Sequence, residues 1–136
     1  MSSNWVQDIT NMQEKFGVRD WVLDPANKDK LRDFLVFRLD FLEEEFEETV
    51  LAYWDKDPEE IVDGLIDVCV IAIGTLLAFG VDADKAWDAV HKANMAKQPG
   101  VKLERPNPLG LPDLMKPEGW VNPSHSGNHG NLTDNI

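Results

Sequence analysis

The 136-residue chain carries 13 basic against 25 acidic residues, a net charge of −12. An excess of that size disfavours nucleic acid polymers and anionic membranes as partners, and admits a small phosphate ligand only where metal ions mediate. With 43 % hydrophobic residues the length suits one domain with a sizeable core, and the single cysteine, Cys69, excludes an intrachain disulfide framework.

The N-terminal Met1-Ser-Ser-Asn-Trp5 has no basic region leading into an apolar one, so no signal peptide is expected. The apolar run Val68–Phe79 covers 12 residues, short of the roughly 20 that span a bilayer. A soluble, cytoplasmic protein is expected.

Residues 3–16 read as an amphipathic helix, with Trp5, Ile9, Met12 and Phe16 at helical spacing and Gly17 as the stop. Residues 18–26 read as a loop holding Trp21 and the turn signal Asp24-Pro25. A long helix from Asn27 to Trp54 follows, with Asp55-Lys-Asp57 as its connection. Its apolar stripe is Leu35, Leu39, Leu42, Phe46, Val50 and Tyr53. Glu43 and Glu47 share a solvated side with Asp33 and Asp40. Glu45 and Glu48 fall on the other flank, among Phe34, Phe41 and Ala52, and Glu44 borders them. Residues three and four apart are helical neighbours, so Glu44, Glu45 and Glu48 converge against apolar surface.

Asp57-Pro58-Glu59-Glu60 is a strong helix start, with a capping acid, proline in the first position and a glutamate third. The helix it opens runs to Phe79 and stops at Gly80. It is apolar on every side after Asp67 except at Thr75, as the centre of a packed domain is. Asp63 and Asp67, at i and i+4, leave it on one side. An ionised carboxylate buried without a partner costs several kcal/mol, so such groups pair or bind metal. Arg38 is the one nearby base on that flank. Two helices offering carboxylates toward each other therefore suggest a hard divalent cation, Mg²⁺ or Mn²⁺. The competing reading, a solvated acidic face, accounts for Glu43 and Glu47 and leaves Asp67 unexplained.

Val81-Asp82 opens a further helix that reaches Lys97 and ends at Gln98-Pro99-Gly100, with Trp87, Val90, Asn94 and Lys97 at helical spacing. The chain from 101 to 136 is rich in Pro, Gly and Asn, and its last dozen residues read as disordered. Lys116-Pro-Glu-Gly-Trp120 is a basic and aromatic knot within it. No strand pattern and no repeat is visible. The expectation is an all-α bundle of about four helices over residues 1–100, completed by homo-oligomerisation, with an irregular tail over 101–136.

Glu44-Glu45-Phe-Glu-Glu48, Asp63-Gly-Leu-Ile-Asp67, Gly80-Val-Asp82 and Val90-His-Lys-Ala-Asn94-Met-Ala-Lys97 resemble, in order and spacing, the all-α nucleoside triphosphate pyrophosphohydrolases. These are the MazG-like and phosphoribosyl-ATP pyrophosphohydrolase-like proteins, with the dimeric dUTPases as relatives. The resemblance covers about residues 30–100, and Lys116-Pro-Glu-Gly-Trp120 is similar to a tail element of some members. It implies Mg²⁺-dependent cleavage of a nucleoside triphosphate to monophosphate and pyrophosphate, and the cover that the apolar central helix needs sets the expected assembly as a homodimer or homotetramer. By similarity Glu44, Glu45 and Glu48 match the glutamates of the first motif and Asp67 the aspartate of the second. With Asp63 on the same helix face as Asp67, the expected metal ligands are Glu45, Glu48, Asp63 and Asp67, and Glu44, at the edge of the cluster, is expected to take a proton from water. Asn94 and Lys97 match the family's phosphate- and nucleotide-contacting pair, and Arg38, Lys116 and Trp120 complete the expected substrate-binding set. One departure stands out: the MazG pattern has an acid three residues before the aspartate, where this chain has Gly64, and its own acid is Asp63.

Two readings from other classes remain. A di-iron carboxylate bundle needs Glu-x-x-His on two helices, and only Asp88-Ala-Val-His91 comes close. His125 and His129 lie in the tail. A non-catalytic helical dimerisation or regulatory module with an acidic metal-binding face is the other.

Overall fold

The computed structural model describes every residue except Ser3. Five helices carry the chain: α1 (Trp5–Lys15), α2 (Val18–Leu23), α3 (Leu31–Asp55), α4 (Pro58–Ala78) and α5 (Ala83–Met95). The all-α class holds. Two corrections concern the connections. The expected loop after Gly17 contains α2, followed by a 3₁₀ turn over Pro25–Lys30, so α3 begins at Leu31 rather than Asn27. Asp24 caps that turn by accepting from the Ala26 N–H at 2.9 Å. The tail also holds a strand pair, β1 (Gln98–Gly100) and β2 (Asp113–Met115), antiparallel with Pro99 opposite Leu114.

Local chemistry sets the helix ends. Asn4 accepts from the Gln7 N–H at 3.0 Å to cap α1. Asp57 accepts from the N–H groups of Glu59 and Glu60 to cap α4, as its sequence predicts. At the other end of α4 the Val81 N–H returns to the Leu76 carbonyl at 3.0 Å, a turn that Gly80 permits with φ of 75°.

The chain divides into two compact units. The first joins residues 1–83 with 129–136, and the second covers 84–128.

The first unit is built on an antiparallel helix pair. Positions 31, 35, 38, 42, 45, 49 and 52 of α3 recur at alternating steps of four and three, a seam of one helix face. Leu31 and Ala52 are buried at its ends. Opposite, α4 buries Gly64, Ile71, Gly74, Thr75 and Ala78. Small residues let the two backbones come close. At Gly64 the approach is so tight that a Cβ there would overlap the Thr49 hydroxyl, which itself donates to the Glu45 carbonyl at 2.8 Å. A core of Val22, Leu31, Ala78 and Phe79 closes one end, with Phe79 only 1 % exposed. Trp21, Phe34 and Phe79 form an aromatic ladder there, with ring centres 5.3 and 6.0 Å apart. The chain end seals this core: the Asn131 N–H bonds the Phe79 carbonyl at 2.9 Å and Leu132 packs on the cluster. Residues expected to be disordered thus serve as a strap, ordered by the carbonyl that the end of α4 leaves free.

The apolar stripes read from the sequence are buried only in part: Ile9 of α1 is buried and Leu35 and Leu42 of α3 stand half-buried in the seam. Leu39, Phe46 and Tyr53 of α3 are exposed in the single chain, as are Trp5, Met12 and Phe16 of α1, which turns Ile9 and Gln13 inward. The view that the central apolar segment is too short to span a membrane applies to Val68–Phe79 alone. By length and composition α4 as a whole suffices, with 21 residues, a mean hydropathy of 2.2 in its most apolar window and 28 % of that window buried. Its seam with α3 and its contacts with α1 give it the place of a core helix, while Val62, Leu65 and Ile66 stay uncovered in one chain.

In the second unit Asp113 holds the strand pair closed. Its carboxylate accepts from the Lys102 N–H at 2.7 Å and from the Arg105 guanidinium. The backbone bond first, and the arginine second, hold its carboxyl below the usual carboxylate range.

Gly64→Ala should cost about 1–3 kcal/mol by overpacking the seam, and Thr49→Ala in the same chain should recover most of it. Chemical denaturation of the single and double variants checks this. A Gly64→Ala protein as stable as the parent would show that α3 and α4 have room to spare.

Candidate active site

The middle of the α3–α4 seam is polar. Arg38 and Glu45 enter from α3, and Asp67 enters from α4. Leucines at these positions would make an ordinary helical seam, so the polarity calls for a chemical reason.

Glu45 is half-buried. Burial pushes its carboxyl above the usual range, and the charges of Asp67, Glu48, Glu44 and Asp63 push it further, in that order of effect. All five acids expected from the sequence therefore act on one place, and Glu43 and Glu47, exposed on α3, do not join them. Glu44, Glu48 and Asp63 are exposed. Among the described residues no three Asp, Glu, His or Cys side chains are gathered closely enough to enclose an ion. The donor set nonetheless suits a hard divalent cation. It is all oxygen, its members repel one another, and two packed helices carry it.

Arg38 does not neutralise Glu45. Its Nε donates to Thr75 Oγ1 at 3.0 Å and its Nη2 to the Ile71 carbonyl at 2.9 Å, so the guanidinium ties α3 to α4. Burial lowers its pKa.

Beside the acids lies a cavity of about 280 Å³ between α1, α3 and α4. Glu45, Asp67 and Arg38 line it together with Met12, Gln13, Phe16 and Phe41. Gln13 is 7 % exposed and its Nε2 donates to the Gly74 carbonyl at 2.7 Å. These α1 residues were absent from the set read off the sequence. Gln13 offered one signal, a polar residue four beyond Ile9 on the face that turns inward.

The remaining expected residues meet in the second unit. Trp120 donates from Nε1 to the Ala93 carbonyl at 2.8 Å, which fixes the indole at the end of α5. Lys97 Nζ stands 5.5 Å and Lys116 Nζ 4.9 Å from the centre of its ring. Lys97 also donates to Asn94 Oδ1 at 3.0 Å. Asn94, Lys97, Lys116 and Trp120 are thus one cluster with two ammonium groups on one aromatic face or edge. His129 is not among the residues that line the cavity.

No curated protein matches the chain. The sequence profile of phosphoribosyl-ATP pyrophosphohydrolase matches residues 24–94, just over half of the chain, and takes in α3, α4, the acidic seam and Asn94. On that match the chain belongs to the phosphoribosyl-ATP pyrophosphohydrolase family, part of the MazG-like superfamily of nucleotide pyrophosphohydrolases.

Proposed function

We propose that the protein hydrolyses nucleoside triphosphates, ribo- or deoxyribo-, to the monophosphate and pyrophosphate, with Mg²⁺ as its metal. The observation that carries this reading is the half-buried Glu45, pressed by four like charges without a compensating cation. A structural carboxylate in a helix seam would be paired.

Glu45, Glu48, Asp63 and Asp67 are the residues that would hold the ion, and Mn²⁺ suits the same donors. The ion would neutralise phosphate oxygens and acidify a nearby water. Glu44, on the solvent side of the cluster, takes the proton as water attacks the α-phosphorus and the bond to the bridging oxygen of the β-phosphate breaks. Lys97 and Lys116 supply point charges for the phosphate chain, Asn94 a hydrogen bond and Trp120 an aromatic surface. Arg38 keeps a guanidinium edge toward the substrate while it braces α4.

Assembly belongs to the same reading. The exposed Leu39, Phe46, Tyr53, Leu65 and Ile66 form apolar surface of the kind that a second copy covers, in a homodimer or homotetramer. Asp63 and Asp67 within α4 favour a protein partner over lipid, and the proposed location is cytoplasmic. Sedimentation at micromolar concentration should give a dimer or tetramer. A fully active monomer would remove this part.

The direct test incubates the protein with each common nucleoside triphosphate, with Mg²⁺ and with chelator, and identifies products by anion exchange. Monophosphate and pyrophosphate in equal amounts are expected only with Mg²⁺. Diphosphate and orthophosphate, or no product, would refute the activity and favour a non-catalytic helical module. Glu48→Ala and Asp67→Ala should abolish turnover, while Glu43→Ala and Glu47→Ala should leave it within about twofold, by the standard that free-energy changes at uninvolved surface sites are small. Equal losses at all four would dissolve the distinction between the two faces.

Stability should follow pH in a defined direction. The folded carboxyl of Glu45 lies above its ordinary value, so the folded state holds more protons across that window and loses stability as pH rises through it. The penalty is absent below the ordinary glutamate range and complete above the folded value. Without metal, Glu45→Gln should therefore melt above the parent at neutral pH and lose that advantage in mild acid. Mg²⁺ at 100 times its dissociation constant should stabilise the parent by about 2.7 kcal/mol and the variant far less. A variant that melts lower than the metal-free parent at neutral pH would make Glu45 a satisfied structural residue.

A further inference from the structure

The strand pair of the second unit sets two cations against each other. Gln98 pairs with Met115, and the same antiparallel register carried one step outward puts Lys97 opposite Lys116. Like charges that face each other across a strand pair destabilise it. The chain has 25 acidic residues against 13 basic ones, so a carboxylate to relieve the pair would be easy to supply. Yet among the described residues no carboxylate forms an ion pair with either lysine. A lysine just past the end of α5 is favoured by the helix dipole, which accounts for position 97. It does not account for position 116, which arrives from β2.

An aromatic ring stands where a carboxylate would. The ammonium groups of Lys97 and Lys116 both lie within 5.5 Å of the centre of the Trp120 ring. That ring is fixed at two points. The Trp120 N–H closes a turn on the Pro117 carbonyl at 3.0 Å, and Nε1 donates to the Ala93 carbonyl, one of the acceptors that the end of α5 leaves open. The choice of ring over carboxylate matters chemically. A carboxylate would neutralise an ammonium group and occupy its N–H donors. An indole attracts the same group through its quadrupole and leaves both charge and donors for a ligand. Lys97 spends one of its N–H groups on Asn94 Oδ1 at 3.0 Å and keeps the others. Holding two long side chains in place before the ligand arrives lowers the entropy lost on binding.

From these observations we infer that Trp120 is a positioning residue: it holds Lys97 and Lys116 as a paired receptor for two adjacent phosphates, the pyrophosphate end of the substrate. Its ring is engaged by the lysines and is not a seat for a base. The inference rests on the proposed activity for its substrate and goes further by making the indole act through two other side chains. Lys97, Lys116 and Trp120 also lie outside the segment shared with the family, which ends at residue 94. A receptor built of cations needs no metal to meet a polyanion, so inorganic pyrophosphate in the presence of chelator probes it apart from the acids and apart from turnover.

Isothermal titration of the full-length protein with pyrophosphate and with orthophosphate, in chelator at low salt, tests it. The parent should bind pyrophosphate well above orthophosphate. Trp120→Leu should raise the pyrophosphate Kd about fivefold or more, whereas Trp120→Phe, which keeps a ring but loses the Nε1 bond, should stay within about twofold. Lys97→Gln and Lys116→Gln should each weaken binding in the parent and add little in the Trp120→Leu background, the coupling expected of groups that act together. Lys92→Gln removes the same charge from α5 outside the cluster and should match the parent. With Mg²⁺ and nucleoside triphosphates, Trp120→Leu should raise KM at nearly constant kcat and leave the ratios of kcat/KM among bases unchanged. The inference is overturned if the parent prefers orthophosphate or binds neither anion, or if Trp120→Phe loses as much as Trp120→Leu. It is equally overturned if Trp120→Leu loses nucleotide affinity while its pyrophosphate affinity holds, which would return the ring to a base. A parent that binds pyrophosphate through Trp120 but hydrolyses no nucleotide would refute the activity and leave the receptor standing.

Discussion

The close approach of α3 and α4 is the constraint on which the rest depends. Gly64 against Thr49 sets the distance at one end of the seam, and Arg38 bonded to Thr75 and the Ile71 carbonyl holds it at the other. Packing of this kind is specified by what is missing, a Cβ at 64 and at 74, as much as by apolar side chains. Once the backbones are this close, whatever stands between the two anchors is pressed together. What stands there is Glu45 and Asp67.

Their placement works against the fold. A seam of leucines would add burial without repulsion, whereas Glu45 is disfavoured as an anion both by desolvation and by four neighbouring acids. Departures from the consistency of a well-packed seam concentrate where function is. The same logic applies to Arg38, which is half-desolvated yet spends its hydrogen bonds on α4 instead of relieving Glu45. Arg38 thus leaves the repulsion unrelieved, and the rigid anchors keep the acids from separating.

Much of the scaffold was legible because its signals are local. Asp57-Pro58 starts α4, and Gly17 and Gly80 follow helices that end where they predict. The glutamates of α3 could be sorted by helical angle alone, which placed Glu45 toward the apolar flank where it is half-buried and left Glu43 and Glu47 on the side that is exposed. The buried face was misread for a physical reason. Periodicity finds the most apolar stripe, and in α3 four of its six members (Leu39, Phe46, Val50 and Tyr53) are exposed in a single chain, while Leu35 and Leu42 stand half-buried in the seam. The seam that packs is mixed, because the site runs through it. The strap at Asn131 and Leu132 was illegible for another reason. Polar, glycine-rich sequence has no ordering signal of its own, and it is ordered here by a carbonyl at the end of α4, 52 residues earlier at Phe79. Gln13 likewise gains its meaning only from Gly74, which lies 61 positions away.

Gly64 shows how fold and chemistry constrain each other at one position. The family pattern that the sequence resembles has an acid there, three residues before the aspartate at 67. In this chain position 64 faces Thr49 with no room for a Cβ, so a glutamate or aspartate at that place would force the helices apart. Residue 63 lies one step back on the helix, about 100° around the axis, and four before Asp67. It is exposed, clear of the seam, and its charge still acts on Glu45. Moving the acid by one residue thus keeps a carboxylate within reach of the site while α3 and α4 close tightly beneath it. The acid leaves the contact face for its rim, where water solvates the charge at small cost. Glycine at 64 permits the tight packing, and Asp63 beside it keeps an exposed carboxylate near Glu45.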